Sequence, residues 1–483
     1  MDKEGMLKVQ KLTNRLINLN ALEEKVLRQK TKIEWLRLGD GNNSYFHASL
    51  KSKQKAKGIL ILQKEDGTEV TSQYSIEQIV VDFYGSLIGT AATNIYNVDV
   101  MAMRTGPQLN FEQRAKLILP VSDDEVTMAL NCIGGLKSPG IDGFGAKFFK
   151  ASWETIKFDV LRAVWDFFEN GRLYKAANCT IVTLIPKSDE ARTIRDYKPI
   201  EGCITLYKII SRIMTRRLAS VIGNVVSQSQ TTFIPHQQIH NHILLTYELL
   251  RGYSTKGGTP RYDVLIFSKG DVASIDAVLK VLQQFSSSTG LIVNPSKCKL
   301  YFGGVDYDTR NGIKMLTAFQ EGALTFKYLG IPMTSRRLEV HQYMPLIEKT
   351  VARITHWSSK ILSYVGKVQL VKSVCFATAS YWLQCLPLPK QIINHINAIC
   401  RSFIWTGGAT VKRRSLVAWQ TICKPRKAGG LNVLDLQVCN DIAMMKLLWS
   451  LSGKKDNLWV RWISSYYLKD NTIFQVEEKA YHS

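Results

Sequence analysis

Lys256-Gly-Gly-Thr-Pro-Arg-Tyr-Asp-Val-Leu-Ile-Phe-Ser-Lys-Gly-Asp271 sets a basic segment broken by glycine and proline directly against an apolar one. The join falls between Arg261 and Tyr262. Val264 to Phe267 reads as a strand, and on alternating faces Asp263 shares a side with Leu265 and Phe267 at the end nearest the turn. The next acid downstream is Asp271. At about 3.3 Å per residue it lies roughly 26 Å away along an unbroken strand, so the two carboxylates do not meet. Upstream, Glu248 falls in a helical run. Asp263 therefore stands by itself, and its plainest reading is a solvated turn residue. A strand of this composition without a neighbour also presents an unpaired apolar edge.

The 483 residues are 45% hydrophobic and 21% charged, the proportions of a globular protein. That length has room for roughly two to four domains. Lys plus Arg number 63 against 40 Asp plus Glu, a net charge of +23. A surplus spread along the chain suits a protein that tracks phosphate backbones, although a basic soluble protein with no polyanion partner has the same composition. The nine cysteines are scattered, with no Cys-x-x-Cys and no Cys/His pair at zinc spacing, which reads as buried thiols in a reducing compartment. Met1-Asp-Lys-Glu-Gly lacks the apolar core of a secretory signal. The longest uncharged run, Ser373 to Pro389, carries Gln384, Pro387 and Pro389 and falls short of the roughly 20 apolar residues of a spanning helix. The expectation is an intracellular protein, nuclear or cytoplasmic, not secreted and without a membrane segment.

Periodicity predicts an α+β chain that is predominantly helical. Met6 to Trp35 is a helical pattern, Gly58 to Gln63 an apolar strand, and Glu65-Asp66-Gly67 a hairpin turn. Ser122-Asp-Asp-Glu125 spells a capping box opening a helix that stops at Gly134-Gly135. An ordered Gly- and Pro-rich loop then feeds a helix from about Ala146, with Asp142 as a turn-capping acid. Thr180 to Lys187 is a β-branched strand. From Asp196 a loop runs into an amphipathic helix with Ile209, Ile213 and Leu218 on one side and Lys208, Arg212, Arg216 and Arg217 around the other. His236 and His240 are four apart, but no Glu lies between them and no third ligand is apparent, so exposed helical histidines are the expectation. The tryptophans downstream of residue 350 suit helical core packing, with base stacking as the alternative.

Several stretches together carry a resemblance. KGGTPR and YDVLIFSKGD at the join, IEWLRLGDGNNSYFHASLKSKQKAKGILILQKEDGTEV from Ile33, LKSPGIDGFGAKFF from Leu136, LIPK followed by RDYKPI, and YLGIPM from Tyr328 occur in one order. The chain so resembles the plant-type non-LTR (LINE-like) retrotransposon reverse transcriptases, internally deleted and degenerate. The resemblance implies the remnant of a right-hand polymerase with an incomplete antiparallel palm sheet. Residues 1–115 would form an N-terminal helical connector with a small hairpin, 116–262 the fingers and first part of the palm, 263–340 residual palm strands, and 341–483 a helical thumb and post-thumb region. Family enzymes carry Arg where Lys198 stands and Ser where Glu201 stands, and His236, Gln237 and Asn241 are further departures. The upstream endonuclease and the Cys/His segment beyond the thumb that such elements often carry are not expected in these residues.

Mg²⁺ is the cofactor the family implies. Palm chemistry needs two divalent ions held by several carboxylates, and only Asp263 remains as the catalytic and metal-binding candidate, too few to bind Mg²⁺ productively. The resemblance assigns nucleic-acid binding to Lys137, Lys187, Arg195, Lys198, Lys208 and Arg212. The resulting expectation is a protein related to RNA-directed DNA polymerases, catalytically inactive as it stands, with RNA or an RNA–DNA hybrid as partner and no small-molecule cofactor. Two alternatives accompany it: a non-functional decayed element or gene-model artefact, and an active polymerase whose palm segment is present in the true transcript. The departures away from the join favour erosion over a splicing error. Sequencing the transcript across the codons for Arg261 and Tyr262 is expected to show the two codons adjacent; an inserted in-frame segment would restore the enzyme.

Overall fold

The structure is a computed structural model that describes residues 3–31, 51, 58–88, 95–96, 98, 100–188, 190–227, 230, 234–235, 237–251, 266, 268–323, 325–335, 338–355, 362–410, 417–454, 457–469 and 475. The chain divides into two units. Residues Met1–Ile33, Phe46–Thr93 and Asp99–Ser227 form one; Glu34–Tyr45, Asn94–Val98 and Gln228–Ser483 form the other. Helices predominate, and the sheets among the described residues are four pairs of strands. The mostly helical α+β expectation holds at that level. The expected strand at Val264 to Phe267 lies outside the described residues except for Ile266.

The first unit opens with α1 (Lys3–Thr31), where Leu12, Leu16 and Ile17 are exposed and Leu27 is buried. Strands β1 (Leu62–Gln63) and β2 (Glu69–Val70) close through the expected turn, where the Thr68 amide donates to the Asp66 carboxylate at 2.8 Å. Helices α2 (Gln73–Ile88), α3 (Val100–Thr105) and α4 (Phe111–Ile118) follow. The main core of this unit lies among α5 (Asp123–Cys132), α6 (Ala146–Ala151), α7 (Trp153–Asn170) and α8 (Thr205–Val225). Val126, Ala129 and Leu130 meet Leu161, Val164, Ile209 and Ile213 there, at spacings of three and four that give each helix one apolar stripe. Ser122 caps α5 by accepting the Glu125 amide at 3.3 Å, and three acids in the first turn complement the helix dipole. The Glu125 carboxylate, expected to complete a capping box, is instead gripped by Arg217 at 2.9 and 2.7 Å.

Strands β3 (Thr180–Pro186) and β4 (Tyr197–Cys203) pair antiparallel over seven residues, from Thr180 opposite Cys203 to Pro186 opposite Tyr197. The loop expected from Asp196 is therefore a strand from Tyr197 onward. Pro199 argues against a strand interior in a wide sheet, but in a two-stranded ribbon its missing amide proton can face outward. Asp196 closes the turn by accepting from the Thr193 amide at 2.9 Å, the Thr193 hydroxyl at 2.8 Å and the Arg192 amide at 3.2 Å. Beyond the turn, Ile194, Leu184 and Tyr197 pack on Leu62 and Ile76. The β1–β2 segment is thereby fastened to the ribbon's tip.

In the second unit, α9 (Ile239–Arg251) packs Leu244 with Trp459 and Val460 of α18 (Leu458–Ile463). Helix α10 (Val272–Thr289) ends at Gly290, whose φ of 73° breaks the helix. It joins β5 (Lys299–Leu300) and α11 (Tyr307–Thr317) through Ile275, Leu300, Phe302 and Ile313. Strand β6 (Gln320–Glu321) runs parallel to β5. Strands β7 (Phe326–Tyr328) and β8 (Ile331–Met333) form a hairpin turned by Leu329 and Gly330 at φ 50° and 84°. The remaining helices are α12 (Met344–Thr355), α13 (Tyr364–Leu370), α14 (Phe376–Cys385), α15 (Lys390–Thr406), α16 (Trp419–Cys423) and α17 (Leu436–Ser452). Among their side chains Phe376, Trp382 and Phe403 are fully buried. Trp419 and Trp459 are buried as well, whereas Trp449 is exposed, so core packing accounts for three of the tryptophans.

Among the described residues no helix is long and apolar enough to cross a membrane. All nine cysteines are free, but Cys132 and Cys179 are exposed where buried thiols were expected. Ile213→Ala is expected to cost about 2–5 kcal/mol by leaving a cavity at the centre of the first unit. Hydrogen exchange should then show lost amide protection in α5, α7 and α8 with α12 to α15 unchanged.

Candidate nucleic-acid interface

The loop from Gly134 to Gly145 is fixed by the start of α8. Gly140 is pressed so close that a Cβ there would sit 2.5 Å from the Ile204 backbone nitrogen and 2.6 Å from its Cα. The fully buried Thr205 hydroxyl donates to the Phe144 carbonyl at 2.9 Å, and the Lys208 ammonium donates to the Ser138 carbonyl at 2.8 Å. Within the loop the Phe144 amide donates to the Asp142 carboxylate at 3.1 Å, the turn-capping role expected of that acid. Lys137 is exposed on this braced loop.

Lys208, Arg212 and Arg216 recur every four residues and so lie along one edge of α8. Arg212 and Arg216 are exposed, and the edge begins where Lys208 meets the loop that carries Lys137. Arg216 is the residue that a motif-by-motif reading leaves out, although its spacing signals it. Arg217 departs from the basic face on which the sequence placed it. Its guanidinium grips Glu125 and donates to the carbonyls of Leu117 at 3.1 Å, Leu119 at 2.6 Å and Pro120 at 3.3 Å, while standing 5.8 Å over the Phe168 ring. The hydrogen bonds that Arg217 donates to the Glu125 carboxylate raise its pKa, outweighing the opposing effect of burial. This cation ties α4 and α5 to α8 and is not available to a phosphate.

The other assigned cations sit on the ribbon. The Lys187 ammonium donates to the Arg195 carbonyl, and its amide to the Asp196 carbonyl at 2.8 Å, closing the turn. Arg195 pairs with Glu65 at 2.5 Å, both side chains being well exposed. Hydrogen bonds from Thr193 hold Asp196 below the usual carboxylate range. Lys198 is exposed opposite Ile185, on the face shared with Ile181 and Ile200, whereas Glu201 lies opposite Val182 on the other face. The added carboxylate of Glu201 therefore does not share a surface with Lys198. The structure thus groups Lys137, Lys208 and Arg212 at the ribbon's base and Lys187 and Arg195 at its tip, roughly 20 Å away over seven residues.

In the second unit, Asp263 and His236 lie outside the described residues. Asp271 caps α10: its carboxylate accepts the Ser274 amide at 2.7 Å, which lowers its pKa, and Lys269 stands 3.7 Å away. Glu248 accepts from the Tyr467 hydroxyl at 3.2 Å. His240, expected to be exposed, is half-buried, and burial followed by the nearby charge of Lys446 lowers its pKa. Among the described residues no three His, Cys, Asp or Glu side chains come together as a metal site.

No family model matches the chain. It is 28% identical over 211 residues to the transposon TX1 uncharacterized 149 kDa protein of Xenopus laevis, covering 44% of this chain and 16% of that protein. It is also 28% identical over 137 residues to a putative ribonuclease H protein of Arabidopsis thaliana, covering 28% of this chain and 22% of that protein. The matches thus span less than a quarter of either relative.

Gly140→Ala is expected to displace the loop, because the added methyl meets backbone and not a flexible side chain, at a cost of about 1–3 kcal/mol. Gly134→Ala, whose nearest neighbour would be the Lys137 side chain at 3.6 Å, is the control. Limited proteolysis within residues 134–145 should accelerate for the first variant alone.

Proposed function

We propose that the chain derives from a retrotransposon reverse transcriptase, has lost nucleotidyl transfer, and retains binding of RNA or an RNA–DNA hybrid on the surface built by Lys137, Lys208, Arg212 and Arg216, whereas Lys198 lies near the ribbon's tip opposite Ile185. The observation that carries this reading is the convergence of Lys137 with the Lys208–Arg212–Arg216 edge on a loop whose backbone is fixed by Gly140 and Thr205. Rigid presentation of cations lowers the ordering cost of meeting a polyanion. The 28% likeness to a transposon-encoded protein, over 211 residues, supports the ancestry.

The residues present do not fit the pair of Mg²⁺ ions such an enzyme needs. Asp263 is one carboxylate, and Asp271, the nearest acid downstream, is committed to capping α10. Each ion ordinarily takes one or two carboxylates together with phosphate and water. No catalytic step is therefore assigned.

Two measurements test the proposal. Primer extension on an RNA template with Mg²⁺ or Mn²⁺ should give no incorporation, and template-dependent synthesis would overturn the inactive reading. Fluorescence anisotropy with a structured RNA should show log affinity falling linearly with log salt, each lost phosphate contact reducing the slope by roughly 0.7–0.9. The triple variant Lys137→Ala, Arg212→Ala, Arg216→Ala is expected to flatten that slope by about 2. Absence of RNA binding at low salt, or a slope unchanged in the variant, would overturn the binding surface.

A further inference from the structure

A cavity of about 420 Å³ opens in the second unit between α10, β5 and β7. Its wall is Ile275, Val278, Leu279, Leu282, Val293 and Phe319, continued by the aromatic rings of Tyr301, Phe326 and Tyr328. Tyr301 is held in place on two sides. Its ring stacks on Phe326 with centroids 4.5 Å apart, and it lies so flat on Gly322 that a Cβ there would stand 2.4 Å from the ring. The aromatic wall is therefore set before any ligand arrives, which spares the ordering cost of binding.

The cavity's polar chemistry is one-sided. Lys297, Lys299 and Lys327 belong to its lining and are exposed. No Asp or Glu belongs to the lining, and among the described residues none of the three lysines has an ion pair. Ser268, Asn294, Thr317 and Cys298 are the remaining polar side chains, few against so much hydrocarbon. An apolar chamber of this size is in the range that encloses small molecules, and a rim of one sign selects the charge of the guest.

We propose that this cavity binds a small aromatic anion, its ring system against Leu279, Phe319 and the Tyr301–Phe326 stack and its acidic group at Lys297, Lys299 and Lys327. The site shares no residue with the proposed nucleic-acid surface and does not depend on that reading. A nucleotide is disfavoured, because the edges of its base would be buried against too few hydrogen-bond partners.

Titration calorimetry of the full chain at low salt, with 2-naphthalenesulfonate and with 2-naphthyltrimethylammonium, compares one ring system under opposite charges. The sulfonate is expected to bind once per chain and at least about tenfold tighter than the cation. Leu279→Trp, which fills the chamber, should abolish binding. The double variant Lys299→Gln, Lys327→Gln changes only the exposed rim and should weaken the sulfonate about tenfold while leaving the cation no weaker, since it relieves like-charge repulsion. Bound sulfonate should also slow alkylation of Cys298, which lines the cavity, but not of the exposed Cys132 or Cys179. Circular dichroism checks folding, and should Leu279→Trp fail to fold, the rim variant and the alkylation carry the test. Equal affinity for the two ions, adenosine monophosphate binding as tightly as the sulfonate, or sulfonate binding indifferent to the rim variant would overturn the proposal.

Discussion

The space of one hydrogen atom at Gly140 sets the geometry of the basic surface. Because no Cβ intervenes, the loop from Gly134 to Gly145 lies against the Ile204 backbone, and Thr205 and Lys208 can then reach the loop's carbonyls. Gly202, at the base of the ribbon, comes to the same place: a Cβ there would be 3.8 Å from the Pro139 carbonyl oxygen. Loop, ribbon and α8 are thus three parts of one junction. Any side chain at Gly140 would push them apart and separate Lys137 from the arginines of α8.

Not every cation counted in the net charge faces a partner. Lys150 donates to the carbonyls of Asn131 at 3.0 Å and Ile133 at 2.7 Å, satisfying acceptors at the end of α5. Arg217 does similar work between helices, and Lys187 closes a turn. A +23 chain therefore contains basic residues that hold carbonyls and carboxylates of its own. The electrostatic surface a polyanion would meet is smaller than composition implies, and what distinguishes Arg212 and Arg216 is exposure at regular spacing on a braced helix.

Much of the helical architecture was legible because its signals are local. The Ser122 cap, the helix start at Ala146 and the strand of Thr180 to Pro186 all follow from residues within a few positions of one another. Where reading failed, a distant partner decided. Glu125 completes no capping box because Arg217 is 92 positions away in sequence and adjacent in space. Tyr197 to Cys203 looked like a loop because Pro199 and Gly202 discourage strands, and only pairing with Thr180 to Pro186 reveals why they are tolerated. Of the site, the Lys208, Arg212 and Arg216 spacing was visible, whereas the commitment of Lys187 and Arg195 to the ribbon's turn depends on contacts that no motif encodes.

The fastening of β1–β2 to the ribbon's tip sets a limit on how the chain can be shortened. Leu62 is fully buried and Ile76 nearly so, and together they roof Ile194 while Leu184 and Tyr197 pack alongside. A polypeptide begun after residue 88 would keep every assigned cation yet strip that roof, leaving three apolar side chains bare at the end of a ribbon whose opposite face already exposes Ile181, Ile185 and Ile200. Bare hydrocarbon on both faces of a ribbon promotes self-association. The first unit's natural left-hand boundary for independent expression therefore lies before Gly58, well upstream of the residues that suggest function.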